Sequence, residues 1–289
     1  DTFFAETFPS VNTFWQEVSY GATSATLASG DVFPLDAGSV YTLPDPPATN
    51  PYGCNDGAGD YNQIRDAALT LATADADFDL ASYDRIFFIH PSPGGSCWYG
   101  LGSLGCWGSS TWGTNSYAWQ NTSAMTSRGE GTRVSAHEGG HNLDLHHCSS
   151  RDFGAEALGA PGVQGSLSEY GDLYCNMGSS SGHYTASQKV DLGWASMDSG
   201  THQVQTVQSS GAFTIVPAES ATPGVMALKV KRGTDNTNSN WLYVEFRQNG
   251  GDYDTTTTSA GDNNGALIHY EDSITRSLGG RTHLLDFVP

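Results

Sequence analysis

Hydrophobic positions recur along this chain in distinct textures. Over residues 61–71, Ile64, Ala67, Ala68 and Leu71 fall at helical spacing behind Asp60, a good capping residue, so the segment predicts an amphipathic helix. A turn carrying Asp75, Asp77 and Asp79 follows, and residues 85–90 then read as a short buried strand stopped by Pro91 and Pro93. Residues 94–116 show no period and many glycines, which predicts a loop or irregular edge strands that shape a surface. A strand is expected at 117–120 and a helix from about Gly131. Beyond Trp194 the texture changes to short alternating runs at 213–216, 226–230, 241–246 and 266–270, separated by Gly, Asn and Asp, which predict antiparallel strands. Residues 254–265 read as a solvated hairpin loop. The fold class is therefore α+β, with residues 1–199 as one domain and a β-rich domain or subdomain over 200–289, divided near Ser199-Gly200.

Charge narrows the partners. The 289 residues carry 31 acidic and 12 basic side chains, a net charge of −19, and only Lys189, Lys229 and Lys231 are lysines. Counterion release at phosphates needs a basic surface, so a nucleic-acid partner is excluded, and an anionic membrane surface with it. No apolar run approaches the roughly 18 residues of a membrane-spanning helix. The chain begins at Asp1 and reads as already processed, with a signal peptide and a latency-conferring propeptide removed. An acidic, lysine-poor surface suits a secreted protein, expected to act as a monomer. Of the five cysteines, Cys97 and Cys106 would close a short loop and Cys148 would pair with Cys175, leaving Cys54 over. The absence of any C-x-x-C pair argues against cysteine zinc ligands.

The segment SAHEGGHNLDLHHC holds His137-Glu138-Gly139-Gly140-His141, a match to H-E-x-x-H. At this chain's His and Glu frequencies such a match arises by chance in roughly 1% of sequences. Residues four apart on a helix share a face, so both imidazoles can bind one metal. Glu138, one position along, falls beside the metal, where it can take a proton from a water whose pKa the metal lowers. A third ligand is still needed. On a continuous helix His147 would point to the far face, so a turn is required, and the residue placed to make it is Asp144, which tolerates the left-handed conformation better than most. Three alternatives stay open: a downstream Glu156 or Glu169 as third ligand, direct ligation by Asp144, or a change of register that uses His146. Short of ligation, the Asp144 carboxylate is expected to make a specific hydrogen bond that orients a ligand or a nearby loop.

With His147 included, the segment resembles the metzincin zinc endopeptidases, whose signature is H-E-x-x-H-x-x-G-x-x-H followed by a methionine turn, although Asp144 replaces the family glycine. Downstream, EYGDLYCNMGSSSGHYTASQKVDLGW resembles the gametolysin family and, more distantly, the immune-inhibitor-A-type peptidases. The likeness extends to SCWYGLG, WLYVEFRQ, GALIHY and HLLDFVP, and so covers about residue 83 onward. The resemblance implies a twisted mixed sheet with an active-site helix, an upper part to about residue 141 and a lower part after it. It implies one catalytic zinc on His137, His141 and His147, Glu138 as general base and Met177 as the turn methionine. Substrates would be extracellular proteins or glycoproteins. His183 and Tyr184, a few residues past Met177, could reach the site and donate to a developing oxyanion, or could instead be a buried pair orienting the next helix.

Weaker signals remain. The aspartates at 75, 77 and 79 hint at Ca2+ but lack the glycine and distal glutamate of an EF-hand loop. Asn121-Thr122-Ser123 is a glycosylation sequon. From a different function class, Trp98, Trp107 and Trp112 together with the β-rich end suggest a carbohydrate- or glycoprotein-binding module with a structural metal.

Overall fold

The computed structural model describes residues 2–23, 42–45, 60–75, 78–91, 98–105, 115–122, 127–160, 163–235, 238–254, 264–271 and 282–285. The chain is α+β and forms two compact units, Asp1–Asn12 with Ala25–Asp144, and Thr13–Ser24 with Leu145–Pro289. Helix α1 (Thr2–Val18) contributes to both.

In the first unit, β3 (Ser116–Asn121) is the central strand of a three-stranded mixed sheet. It pairs in parallel with β1 (Arg85–His90) and antiparallel with the short edge strand β2 (Gly100–Gly102). Every residue of β3 is buried, and its two faces differ in chemistry. Tyr117 and Trp119 join Ile86 and Phe88 of β1 in an aromatic core completed by Ile64 and Leu69 of α2 (Asp60–Ala72). The opposite face offers Ser116, Ala118 and Gln120, and it receives α3 (Arg128–Asn142), where the hydroxyl of Ser135 donates to Oε1 of Gln120 at 3.0 Å. The helix expected from Gly131 thus begins a turn earlier, because the Ser127 side chain caps it by accepting from the Glu130 N–H at 3.2 Å.

Helix α3 carries four glycines, each costing about 1 kcal/mol relative to alanine. What holds it is burial: everything from Gly131 to Asn142 except Arg133 is buried, and glycine, serine and alanine allow close approach to the sheet. The cap, Glu130 in the positive first turn and the Arg133–Glu130 ion pair at 3.0 Å add smaller terms.

The second unit is built on an eight-stranded sheet in the order β5-β4-β11-β10-β9-β8-β7-β6. Its strands are β4 (Cys148–Asp152), β5 (Ser166–Ser168), β6 (Ser196–Met197), β7 (His202–Thr206), β8 (Gly224–Asp235), β9 (Asn238–Gln248), β10 (Asn264–Glu271) and β11 (Thr282–Leu285). Strands at 226–230, 241–246 and 266–270 lie within β8, β9 and β10 and pair antiparallel as expected. Two expectations are corrected. β6, β7 and β8 run parallel, as do β4 and β11. Residues 213–216 are not a strand, although the Val216 N–H donates to Val225 O at 2.8 Å, so the alternating apolar pattern there packs as an irregular segment. Strands on both sides of Ser199-Gly200 belong to this one sheet, and the units divide at Asp144–Leu145.

The second unit's core combines small apolar residues, Ala186, Ala195, Val204, Ala218, Met226, Ala227 and Tyr243, with a buried charge network. Arg247 bonds Asp254 at 2.7 Å, Glu245 at 3.0 Å and the Tyr184 carbonyl at 3.0 Å. Lys189 of α4 (Ala186–Asp191) donates to Tyr20 and to the Ala218 carbonyl, and burial, then Arg247, push its pKa down to about 7.

No described helix is long and apolar enough to cross a membrane. Cys148 and Cys175 form a disulfide, whereas Cys54, Cys97, Cys106, Asp77, Trp107 and Trp112 lie outside the described residues. Asp79 caps the 3-10 turn Leu80–Ser82 through the Ala81 N–H at 3.0 Å, which is the local role its position favours. Asn121 is fully buried with its amide donating to the Trp98 carbonyl, so it cannot carry a glycan in the folded chain.

Candidate metal centre

Two of the three histidines project from α3. The ring centroids of His137 and His141 are 4.9 Å apart, with the planes nearly perpendicular, as befits two side chains one helical turn apart on a shared face. Both are buried, as is Glu138. Burial pushes the Glu138 carboxyl up to about 8, with Arg133 opposing, so a metal-free site holds it protonated at neutral pH.

The helix then ends sharply. The Leu143 N–H reaches the Gly139, Gly140 and His141 carbonyls, and Asp144 adopts φ 69°, its N–H donating to His141 O at 2.8 Å. This is the left-handed terminus that the spacing required, made by an aspartate instead of a glycine. The hydrogen bond expected of the Asp144 carboxylate is not seen among the described residues: the side chain is exposed and faces Gly105, so its position is set by the turn. Ligand nitrogens of His137, His141 and half-buried His147 all lie within 4.8 Å of one another, so these three form a group that could hold a metal ion. Asp144, His146, Glu156 and Glu169 are not members of it. A second cluster, Cys148, Asp172 and Cys175, is spoken for by the disulfide.

Sequence reasoning missed the wall of the site. β2 lies against α3 so tightly that a Cβ on Gly102 would fall 2.6 Å from the Glu138 carbonyl oxygen and 2.8 Å from His141 Cβ. A Cβ on Gly100 would fall 2.7 Å from Glu138 Cγ. Glycines two apart on a strand face the same way, so both are dictated by one close approach. The available signal was the G-L-G alternation inside an otherwise aperiodic stretch. Gln120, paired across the sheet with Gly100, is fully buried, and its Nε2 has no partner among the described residues.

On the other side of the division, Met177 is fully buried, and its carbonyl accepts from the N–H of Cys148, the residue after His147, at 2.9 Å. The Cys148–Cys175 bond ties the same two segments covalently. Glu169, weighed above as a ligand, instead places Oε1 2.8 Å from His147 Nδ1.

His183 and Tyr184 have other engagements. His183 Nε2 bonds Glu17 at 2.9 Å and its Nδ1 lies 3.1 Å from Lys189 Nζ, while burial, then Lys189 and Arg247, hold its pKa well below the usual histidine range. The Tyr184 hydroxyl accepts from Trp15 Nε1 at 3.3 Å. Both are fully buried just ahead of α4, the placement of a pair that orients the helix. Trp98 is half-buried against the aromatic core. No known family, curated protein or solved structure matches this chain.

Proposed function

We propose that the chain is a secreted zinc-dependent endopeptidase of metzincin type that cleaves extracellular proteins or glycoproteins. The observation that carries this reading is the set of three imidazoles whose donor atoms lie within 4.8 Å of one another, with a buried carboxyl on the same helix between two of them. Three neutral nitrogen donors suit zinc, and three protein ligands, not four, leave the open position that a catalytic site needs. The left-handed helix end at Asp144 and the buried Met177, bonded to the residue after His147, fit the same reading. The disulfide suits an oxidising compartment.

Zinc bound there would supply Lewis acidity toward a water and the scissile carbonyl. The remaining work falls to the chain. His137, His141 and His147 would hold the ion. Glu138 takes the proton from the attacking water and returns it to the leaving amine. With a cation held beside it, Glu138 would be the carboxylate its role as base needs, because an adjacent positive charge favours the ionised form. β2 presses on Glu138 from its glycine face and fixes where that carboxylate can point.

The test is metal analysis of the native protein together with hydrolysis of a mixed proteome before and after chelation. One zinc per chain and cleavage abolished by the chelator and restored by zinc are expected. Glu138→Gln should keep the zinc and lose turnover by roughly two to four orders of magnitude, the usual worth of a general base. Cleavage that survives chelation would overturn the proposal.

A further inference from the structure

We propose that Glu169 and Tyr170 form a clamp that positions His147 as a metal ligand, an inference that rests on the zinc-peptidase reading above. A carboxylate can only accept a hydrogen bond, so at 2.8 Å the proton lies on His147 Nδ1. That leaves the Nε2 lone pair as the donor to a metal. The Tyr170 ring lies against the face of the same imidazole, with centroids 3.9 Å apart and planes tilted by 39°. One residue thus sets the tautomer and the other limits rotation.

The surroundings show that this arrangement is built. From Val163 to Tyr170 every residue is exposed, including Glu169 and Tyr170, so neither is held there by the core. A turn closes with the Gly171 N–H donating to Ser168 O at 3.1 Å, and at its third position Tyr170 takes φ 60°, a conformation that favours glycine. The turn is pinned from below, where the Ser179 hydroxyl donates to the Tyr170 carbonyl at 2.7 Å and the Ser179 N–H to Asp172 O at 3.0 Å. Ser179 stands two residues past Met177, whose carbonyl holds the Cys148 N–H. His147 is therefore fixed through its backbone by the Met177 segment and through its ring by a turn fastened to that segment. α3 gives His137 and His141 a rigid frame, and the clamp gives the ligand outside the helix a comparable one.

The experiment is zinc affinity of the full chain by competition with a chromogenic chelator, with the visible absorption of the cobalt(II)-substituted protein as a second readout. Glu169→Ala should weaken zinc binding by about 10- to 100-fold and alter the cobalt spectrum, as removal of such outer partners does. Glu169→Gln, whose amide oxygen still accepts from Nδ1–H, should restore most of the affinity. In a His147→Ala background Glu169→Ala should add no further loss of zinc affinity, since the clamp works through that ring. Wild-type affinity and spectrum in Glu169→Ala, with the parent chain binding zinc normally, would overturn the clamp and leave the peptidase reading intact. A parent chain that binds neither metal would overturn both.

Discussion

Glu138 is a carboxyl whose metal-free state is costly at neutral pH. Its folded pKa lies near 8 against an ordinary value of 4.5, chiefly through burial. Between those two values the folded chain binds more protons than the unfolded one, so stability falls as pH rises. The full contribution is present below about 4.5 and is lost as pH climbs through about 8. With metal removed, Glu138→Gln should therefore have a flatter stability profile from about pH 5 to pH 9 and be more stable than wild type at the upper end. One pKa unit is worth about 1.4 kcal/mol, so the gain should be on the order of a few kcal/mol. Urea denaturation of both proteins in chelator at the two pH values checks this, and equal slopes would contradict the burial argument. Asp144 raises a different residue-scale question, backbone strain. At φ 69° with no bond to its carboxylate among the described residues, it acts as a tolerated substitute for glycine. Asp144→Gly should be neutral or stabilising by about 1 kcal/mol, and Asp144→Ala should be the worse of the two. Zinc affinity should be unchanged in Asp144→Gly; a clear loss there would assign the carboxylate a role that its surroundings do not suggest.

At the scale of elements, legibility follows locality. β1 stands where the apolar run ended by Pro91 placed it, and α2 where the spacing of Ile64 and Leu71 did, because period and punctuation lie within a few residues. The helix that carries His137 and His141 was visible through its chemistry, since its small and polar residues form no apolar stripe. β2 was hidden: a three-residue edge strand has no period, and the reason for Gly100 and Gly102 is the close approach of a helix nearly 40 residues away. That dependence makes Gly102→Ala a sharp test. The new methyl would meet backbone oxygen and His141 Cβ, neither of which can swing aside, so β2 must shift. A cost of about 1–3 kcal/mol in stability is expected, with a loss of turnover, because β2 in shifting no longer packs against the Glu138 side chain. Activity and melting temperature like those of wild type would show that β2 sits farther from α3.

For the whole molecule, the three-histidine group was readable because H-E-x-x-H and the following turn confine the ligands to 11 consecutive positions, 137–147. Glu169 was visible only as one alternative third ligand, and its hydrogen bond to His147 was not, since that contact is set by a turn 22 residues downstream. Strand order was not readable, as β4 neighbours β11 and β7 neighbours β8 in parallel, pairings that alternation cannot encode. Nor was the charge network of the second unit, in which residues from Glu17 to His269 meet through sheet topology. Arg247 is its hub. Burial opposes its charge, but Asp254 and then Glu245 outweigh that and raise its pKa. Those carboxylates have second duties: Glu245 Oε2 accepts the first N–H of α4 from Ala186 at 2.7 Å, and Asp254 Oδ1 accepts the His183 N–H at 3.2 Å. Arg247→Met would leave both carboxylates buried without their cation. The expected cost is about 3–5 kcal/mol, well above a surface ion pair, and it should fall substantially when Glu245→Gln and Asp254→Asn are added, because the stranded charge is then gone. Urea unfolding of the single and triple variants measures both numbers. A loss below about 1 kcal/mol in Arg247→Met would mean that water reaches the network and screens it, as at a surface pair.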